Sequence, residues 1–219
     1  GRKVAFSVPT GNFGNVFAGY VAMRMGLPVE RLIVASNSND ILTRFFEQGA
    51  MQRDVVMPSL SPSMDIQVSS NFERLLFELM DRDGVAVAGI MDRFAETGRF
   101  ELPDSAMTAA HRHFSAYRLD DAGTLAEIAA SMETDGMCLD PHSAVGVSAA
   151  RRAIADGTVA ADIPVVALAC AHPAKFGAAV SKATGTTPAL PPHLADLMQR
   201  PEKMAKADAS AAAVRELVL

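Results

Sequence analysis

The sequence predicts an α/β protein built on a mainly parallel sheet flanked by helices, and three observations predict it. Residues 3–8 form an apolar strand-like run, residues 15–25 follow with helical spacing, and residues 31–35 (Arg-Leu-Ile-Val-Ala) form a second short apolar run. Two such runs separated by a helix make a βαβ unit with a parallel pair. Far down the chain, residues 163–169 form another apolar run of strand length, followed by the loop Cys170-Ala171-His172-Pro173. Between these ends, residues 83–121 carry helical patterns and read as an α-rich insertion.

The elements follow in order. Gly26-Leu27-Pro28 stops the first helix, as a glycine past the last turn followed by proline does. Residues 36–40 are turn-like, and residues 41–48 form a short helix ended by Gly49. Residues 57–64 are a Pro/Ser-rich loop, and residues 71–82 are amphipathic and helical. Inside the insertion, 85–97 and 104–113 each predict a helix, and 120–132 predict another. Asp140-Pro141 opens a helix that runs to about Ala155, because Asp caps and Pro suits the first helical position. Residues 163–169 read as the most clearly buried strand. Residues 175–182 make a short helix, and a Pro-rich connector at 188–192 leads to two terminal helical stretches. All 219 residues read as one domain or a portion of one, without internal repeats.

Composition excludes several function classes. The formal net charge of −5 and scattered basic residues give no footprint for nucleic acid or a membrane surface. The two cysteines, Cys138 and Cys170, lie far apart and make no disulfide framework, which predicts a reduced, cytoplasmic setting. No apolar run reaches membrane-spanning length. His111 and His113 are two residues apart and share no helical face, so no metal site is expected.

The segment Ser7-Val8-Pro9-Thr10-Gly11-Asn12-Phe13-Gly14-Asn15 runs from strand through a small-residue loop into a helix. Backbone N–H groups at such a helix start attract an anion. Gly11 and Gly14 can take positive φ, and Asn12 and Asn15 can cap the helix. The same residues also fit an ordinary strand-to-helix turn. The loop is neither a G-x-x-x-x-G-K-[ST] nor a G-x-G-x-x-G motif, so nucleotide-binding templates do not fit.

Val8-Pro9-Thr10-Gly11-Asn12-Phe13-Gly14-Asn15 resembles the S/T-G-N-F-G loop of threonine synthases, in which that loop binds the phosphate of pyridoxal phosphate. Further segments resemble the family in family order: Ala35-Ser36-Asn37-Ser38-Asn39-Asp40-Ile41-Leu42, Ser61-Pro62-Ser63-Met64-Asp65-Ile66, Ser69-Ser70-Asn71-Phe72-Glu73-Arg74, Asp140-Pro141-His142-Ser143-Ala144-Val145 and Ala171-His172-Pro173-Ala174-Lys175-Phe176. The resemblance points to the longer microbial and fungal type. It implies a tryptophan synthase β-like fold (fold type II), pyridoxal 5'-phosphate as cofactor, and conversion of O-phospho-L-homoserine and water to L-threonine and phosphate.

The resemblance assigns Thr10, Gly11, Asn12, Phe13, Gly14 and Asn15 to the cofactor phosphate, and Cys170 to the pyridine nitrogen. Cys170 departs from the family, which usually has Thr before A-H-P. Its S–H is a weak donor, normally neutral near pH 7. The competing reading is a small buried hydrophobe that ends a strand. Asn39 and Asp40 suit either a substrate contact or a helix cap, and their chemistry favours the cap. Lys175 suits either the substrate phosphate or a solvated helix surface. His142 reads as a surface or capping residue.

The family's Schiff-base lysine sits in an upstream S/T-F-K-D-like segment. Lys3, Lys175, Lys182, Lys203 and Lys206 lack that context. With no Met at position 1, this leads to the expectation that the chain is a C-terminal portion of the large cofactor domain. Its partners would be the missing N-terminal part and the small-molecule substrate, and no catalytic residue would lie in the chain itself. Two other classes compete: another fold type II enzyme (a serine or threonine dehydratase or a cysteine synthase), or a non-catalytic paralogue that binds a phosphorylated ligand.

Overall fold

The computed structural model describes residues 1–219 and divides into two compact units, Gly1–Pro188 and Ala189–Leu219. The first unit holds six strands: β1 (Val4–Pro9), β2 (Val29–Ser36), β3 (Ala50–Gln52), β4 (Arg99–Glu101), β5 (Phe114–Arg118) and β6 (Val165–Ala167). Its helices are α1 (Gly14–Arg24), α2 (Ile41–Gln48), α3 (Phe72–Leu79), α4 (Gly84–Thr97), α5 (Asp104–His111), α6 (Asp121–Asp135), α7 (Pro141–Ala155) and α8 (Gly177–Thr184). The second unit holds 3-10 turns at Pro192–Leu194 and Leu197–Gln199 and one helix, α9 (Ala211–Val218). No helix is long and apolar enough to cross a membrane.

Four strands form one all-parallel sheet in the order β5-β2-β1-β6, and β3 and β4 pair antiparallel in a small second sheet. Both faces of the large sheet are covered, so β2 is a continuous buried run rather than an alternating one. Leu32 and Val34 point into a core with Val16, Phe45, Phe72 and Leu75 from α1, α2 and α3. Ile33 and Ala35 point the other way, onto Val145, Ala149 and Ala153 of α7. The period-2 geometry of one strand thus feeds two cores.

The helix ends follow their chemistry. Asp83, Asp120 and Asp140 accept backbone N–H groups at the starts of α4, α6 and α7. Gly49, Gly98 and Gly136 end α2, α4 and α6 in the left-handed conformation.

Three sequence expectations need correction. Residues 83–121 hold the two expected helices, but also β4 and β5, and β5 is an edge strand of the main sheet. Phe114-Ser115-Ala116-Tyr117-Arg118 is short and lacks clean alternation; pairing with β2 makes it a strand. Residues 163–169 yield only three strand residues, and Val166 is 43% exposed. This strand closes the sheet beside β1 and has no neighbour on its other side within the chain. The terminal region contains one α-helix rather than two, with two 3-10 turns before it.

Candidate active site at the carboxyl edge of the sheet

The chain runs from β1 to β2 on one side and returns to β6 on the other. The carboxyl ends of β1 and β6 therefore flank the point where strand order reverses. In open parallel sheets, ligands bind in the crevice at such a point. Ser7 pairs with Ala167, so the chain reaches Thr10 and Cys170 after equal steps from neighbouring strands.

The loop after β1 is built from its buried residues outward. Thr10 N–H donates to Ala35 O at 2.9 Å, and Thr10 Oγ1 accepts Phe13 N–H at 3.0 Å. Phe13 is fully buried at the N-cap position of α1, with φ 63°. The positive φ expected at Gly11 or Gly14 falls on Phe13 instead. Its ring packs among Phe46, Phe72 and Phe114, and this anchoring holds a backbone geometry unusual for a large residue. Gly11 serves close approach: a Cβ there would lie 3.0 Å from the Ile66 side chain and 3.2 Å from Met64 Cα.

Neither Asn12 nor Asn15 caps the helix, because α1 has no side-chain cap. Asn12 is instead held by the 69–71 segment. Its carbonyl accepts Asn71 N–H at 3.2 Å and Asn71 Nδ2 at 2.9 Å, and its Oδ1 accepts Ser70 Oγ at 3.3 Å. These braces were visible in the sequence only as part of the S-S-N-F-E-R likeness. No acceptor within the chain engages the backbone N–H groups of Gly11, Asn12, Gly14 and Asn15. Asn12, Gly14 and Asn15 are exposed. Open donors at a helix start, in a positive dipole field, fit a phosphate.

Cys170 is exposed, which rejects the buried-hydrophobe reading. Its N–H donates to Ser143 Oγ at 3.2 Å, and its Sγ lies 3.8 Å from Leu168 O. Desolvation, and then the Asp140 charge, push the thiol above its ordinary range, so it keeps its proton at neutral pH. A neutral S–H suits a contact to an unprotonated ring nitrogen.

Asp140 is buried at the start of α7. Its Oδ1 accepts His142 N–H at 2.9 Å and faces His142 Nδ1 at 3.0 Å, and its Oδ2 accepts Ser143 Oγ–H. Burial would raise this carboxyl, but the hydrogen bonds from His142 and Ser143 outweigh it and hold it below the ordinary range. His142 is buried rather than on the surface, with its ring 4.8 Å from that of Phe176. His142 Nε2 is buried without a partner, as is Ser69 Oγ in the 69–71 segment that holds Asn12.

Asn39 and Asp40 lie beyond the end of β2; Asp40 occupies the N-cap position of α2, but neither side chain makes a cap hydrogen bond. Asn39 Oδ1 accepts Met57 N–H, and its Nδ2 donates to Met57 O and Asp65 Oδ1. Asp40 binds Arg44 Nε at 2.9 Å and Arg118 Nη1 at 2.8 Å. Both side chains are therefore occupied in bracing neighbouring segments. Lys175 is exposed in the Pro173–Phe176 turn, with Nζ 5.6 Å from the Phe176 ring centre.

These features define a class: a parallel α/β protein with a row of open backbone donors and a neutral thiol at the switch point of its sheet. Residues 143–218 match the family model described as "Threonine synthase, C-terminal". The chain is 52% identical over 203 residues to a threonine synthase of Pseudomonas aeruginosa, covering 92% of this chain and 42% of that protein. It is similar to the crystal structure of PLP-bound threonine synthase from Brucella melitensis, with TM-score 0.91 and 49% identity over 99% of this chain and 46% of that one. Against the yeast threonine synthase structure the TM-score is 0.89 at 37% identity, covering 99% of this chain and 47% of that one. The chain belongs to the threonine synthase family and spans less than half the length of these relatives.

Proposed function

We propose that this chain supplies the cofactor-holding part of a threonine synthase that converts O-phospho-L-homoserine and water to L-threonine and phosphate. The observation that carries the proposal is the row of open backbone donors at Gly11, Asn12, Gly14 and Asn15, placed at the switch point of a family-typical sheet. When bound, pyridoxal phosphate supplies an electron sink that makes the substrate's α and β C–H bonds acidic and lets phosphate leave the γ carbon.

The residues of this chain have distinct tasks. The loop donors and the α1 dipole hold the cofactor phosphate without a cationic side chain. Phe13, anchored in the core, fixes the loop before any ligand arrives, which avoids ordering costs on binding. Cys170 holds a proton on Sγ and offers it to the ring nitrogen. Asn39 braces the 57–65 segment and Asp40 holds Arg44 and Arg118, while Lys175 is open to meet a substrate phosphate. The lysine that bears the cofactor belongs, in this reading, to the part of the family's length that this chain does not span. The two free cysteines suit a cytoplasmic setting.

The test is to incubate the whole protein with pyridoxal phosphate and O-phosphohomoserine, then measure threonine and free phosphate. Equimolar formation of both is expected. A 2-oxo acid formed from serine or threonine, with no threonine made from the phosphoester, would point to a dehydratase instead. Neither product would point to a non-catalytic binder.

A further inference from the structure

We propose that Asp140 and Ser143 are positioning residues for Cys170, so that the first turn of α7 sets the spacing between the thiol and the phosphate loop. The geometry leaves one arrangement of the hydroxyl proton. An ionised carboxylate only accepts, so Ser143 Oγ donates to Asp140 and keeps its lone pairs for the Cys170 N–H at 3.2 Å. That amide belongs to a segment 27 residues further along the chain, so the bond is not an ordinary helix cap. Asp140 and Ser143 are 1% and 5% exposed, which makes the bond hard to replace by water. A second tie holds the same segment, because His142 packs its ring on Phe176.

The other end of the gauge is equally tight. Ser7 Oγ donates to Gly146 O at 2.6 Å, and a Cβ on Gly146 would lie 2.7 Å from Pro9 Cγ. Pro9 is the last residue of β1 and leads directly into the loop. One helix therefore abuts the strand that launches the phosphate loop and binds the segment that carries the thiol. The consequence for a cofactor rests on the proposed threonine synthase reading, but the positioning itself can be tested without it.

The first measurement is amide hydrogen exchange at Cys170 in the whole protein without cofactor. Ser143→Ala is expected to speed exchange there about tenfold, and Ser143→Thr, which keeps the hydroxyl, to restore protection. Ser143→Val matches Thr in shape without the hydroxyl, and it is expected to behave like Ala if the bond rather than packing matters. The second measurement uses the whole protein: Ser143→Ala should shift the visible absorption band of bound pyridoxal phosphate and lower kcat about tenfold, with KM less affected and Thr restoring both. Unchanged exchange in both Ala and Val variants overturns the proposal, as does faster exchange with an unaltered cofactor band and kcat. If the wild-type protein forms no threonine while the exchange pattern holds, the activity reading falls and the positioning stands.

Discussion

The Phe13 ring meets the Phe72 ring edge-on at 5.0 Å between centroids, while the Phe13 backbone sits at φ 63°. Core packing and loop geometry are thus properties of one residue. Phe13→Ala should cost about 3–5 kcal/mol in urea unfolding through the cavity left among Phe46, Phe72 and Phe114. Glycine tolerates positive φ and alanine does not, so Phe13→Gly should be no worse than Phe13→Ala. A Gly variant clearly less stable than Ala would show that the positive φ is not a significant strain.

Asp65 is the centre of a knot without a cation. Its Oδ1 accepts Asn37 Nδ2 at 2.7 Å, Asn39 Nδ2 at 2.9 Å and Ser59 Oγ at 2.6 Å, and its Oδ2 accepts Ser59 N–H at 2.8 Å. Asn37 and Asn39 are 1% and 5% exposed, so removing the carboxylate takes one acceptor from each of two buried amides and leaves them Ser61 and Met57. Asp65→Ala should cost roughly 2–3 kcal/mol and speed proteolytic cutting within residues 53–70. Cutting at the wild-type rate would mean that the loop is held elsewhere.

Asp140 gives the protein an acid limit with a defined sign. Its carboxyl is held below the ordinary value of 3.8, against the effect of burial, by hydrogen bonds from His142 and Ser143. The stability this contributes is complete above the unfolded-state value and is lost as pH falls through the lowered folded value. Asp140→Asn should flatten the decline in thermal stability below about pH 4 while lowering stability at pH 7. An unchanged acid slope would assign that decline to other carboxylates.

Gly146 lies where α7 crosses β1. A Cβ there would sit 2.7 and 2.9 Å from the Pro9 ring, so Gly146→Ala must displace the helix or the proline. The expected cost is about 1–3 kcal/mol by denaturant unfolding, with weaker binding of pyridoxal phosphate in the whole protein. A variant as stable as wild type, with unaltered binding, would show that this contact yields easily.

Local chemistry made much of the fold legible. The βαβ opening follows from two apolar runs and a Gly-Leu-Pro stop, and α7 follows from Asp140-Pro141. Of the edge strands, β6 was legible from its apolar run but shorter and more exposed than that run suggests, while β5 owes its conformation to pairing with β2 rather than to its own residues. At the site, motif likeness singled out the loop and Cys170 as candidates. The Phe13 backbone could not, since its positive φ is imposed by a ring buried among residues distant in sequence. Asn39 and Asp40 looked like caps because their type favours caps, but long-range partners at Met57, Asp65 and Arg118 claim them. Ser70, Asn71, Ser143 and His142 gain their roles only when the segments fold together.

The proposed role of residues Gly11–Asn15 in cradling the cofactor phosphate can be seen in a crystal structure of the whole protein with pyridoxal phosphate. Phosphate oxygens are expected within about 3 Å of at least two of the N–H groups of Gly11, Asn12, Gly14 and Asn15, with Cys170 Sγ facing the ring nitrogen. A phosphate held elsewhere, with these donors left to solvent, would contradict it.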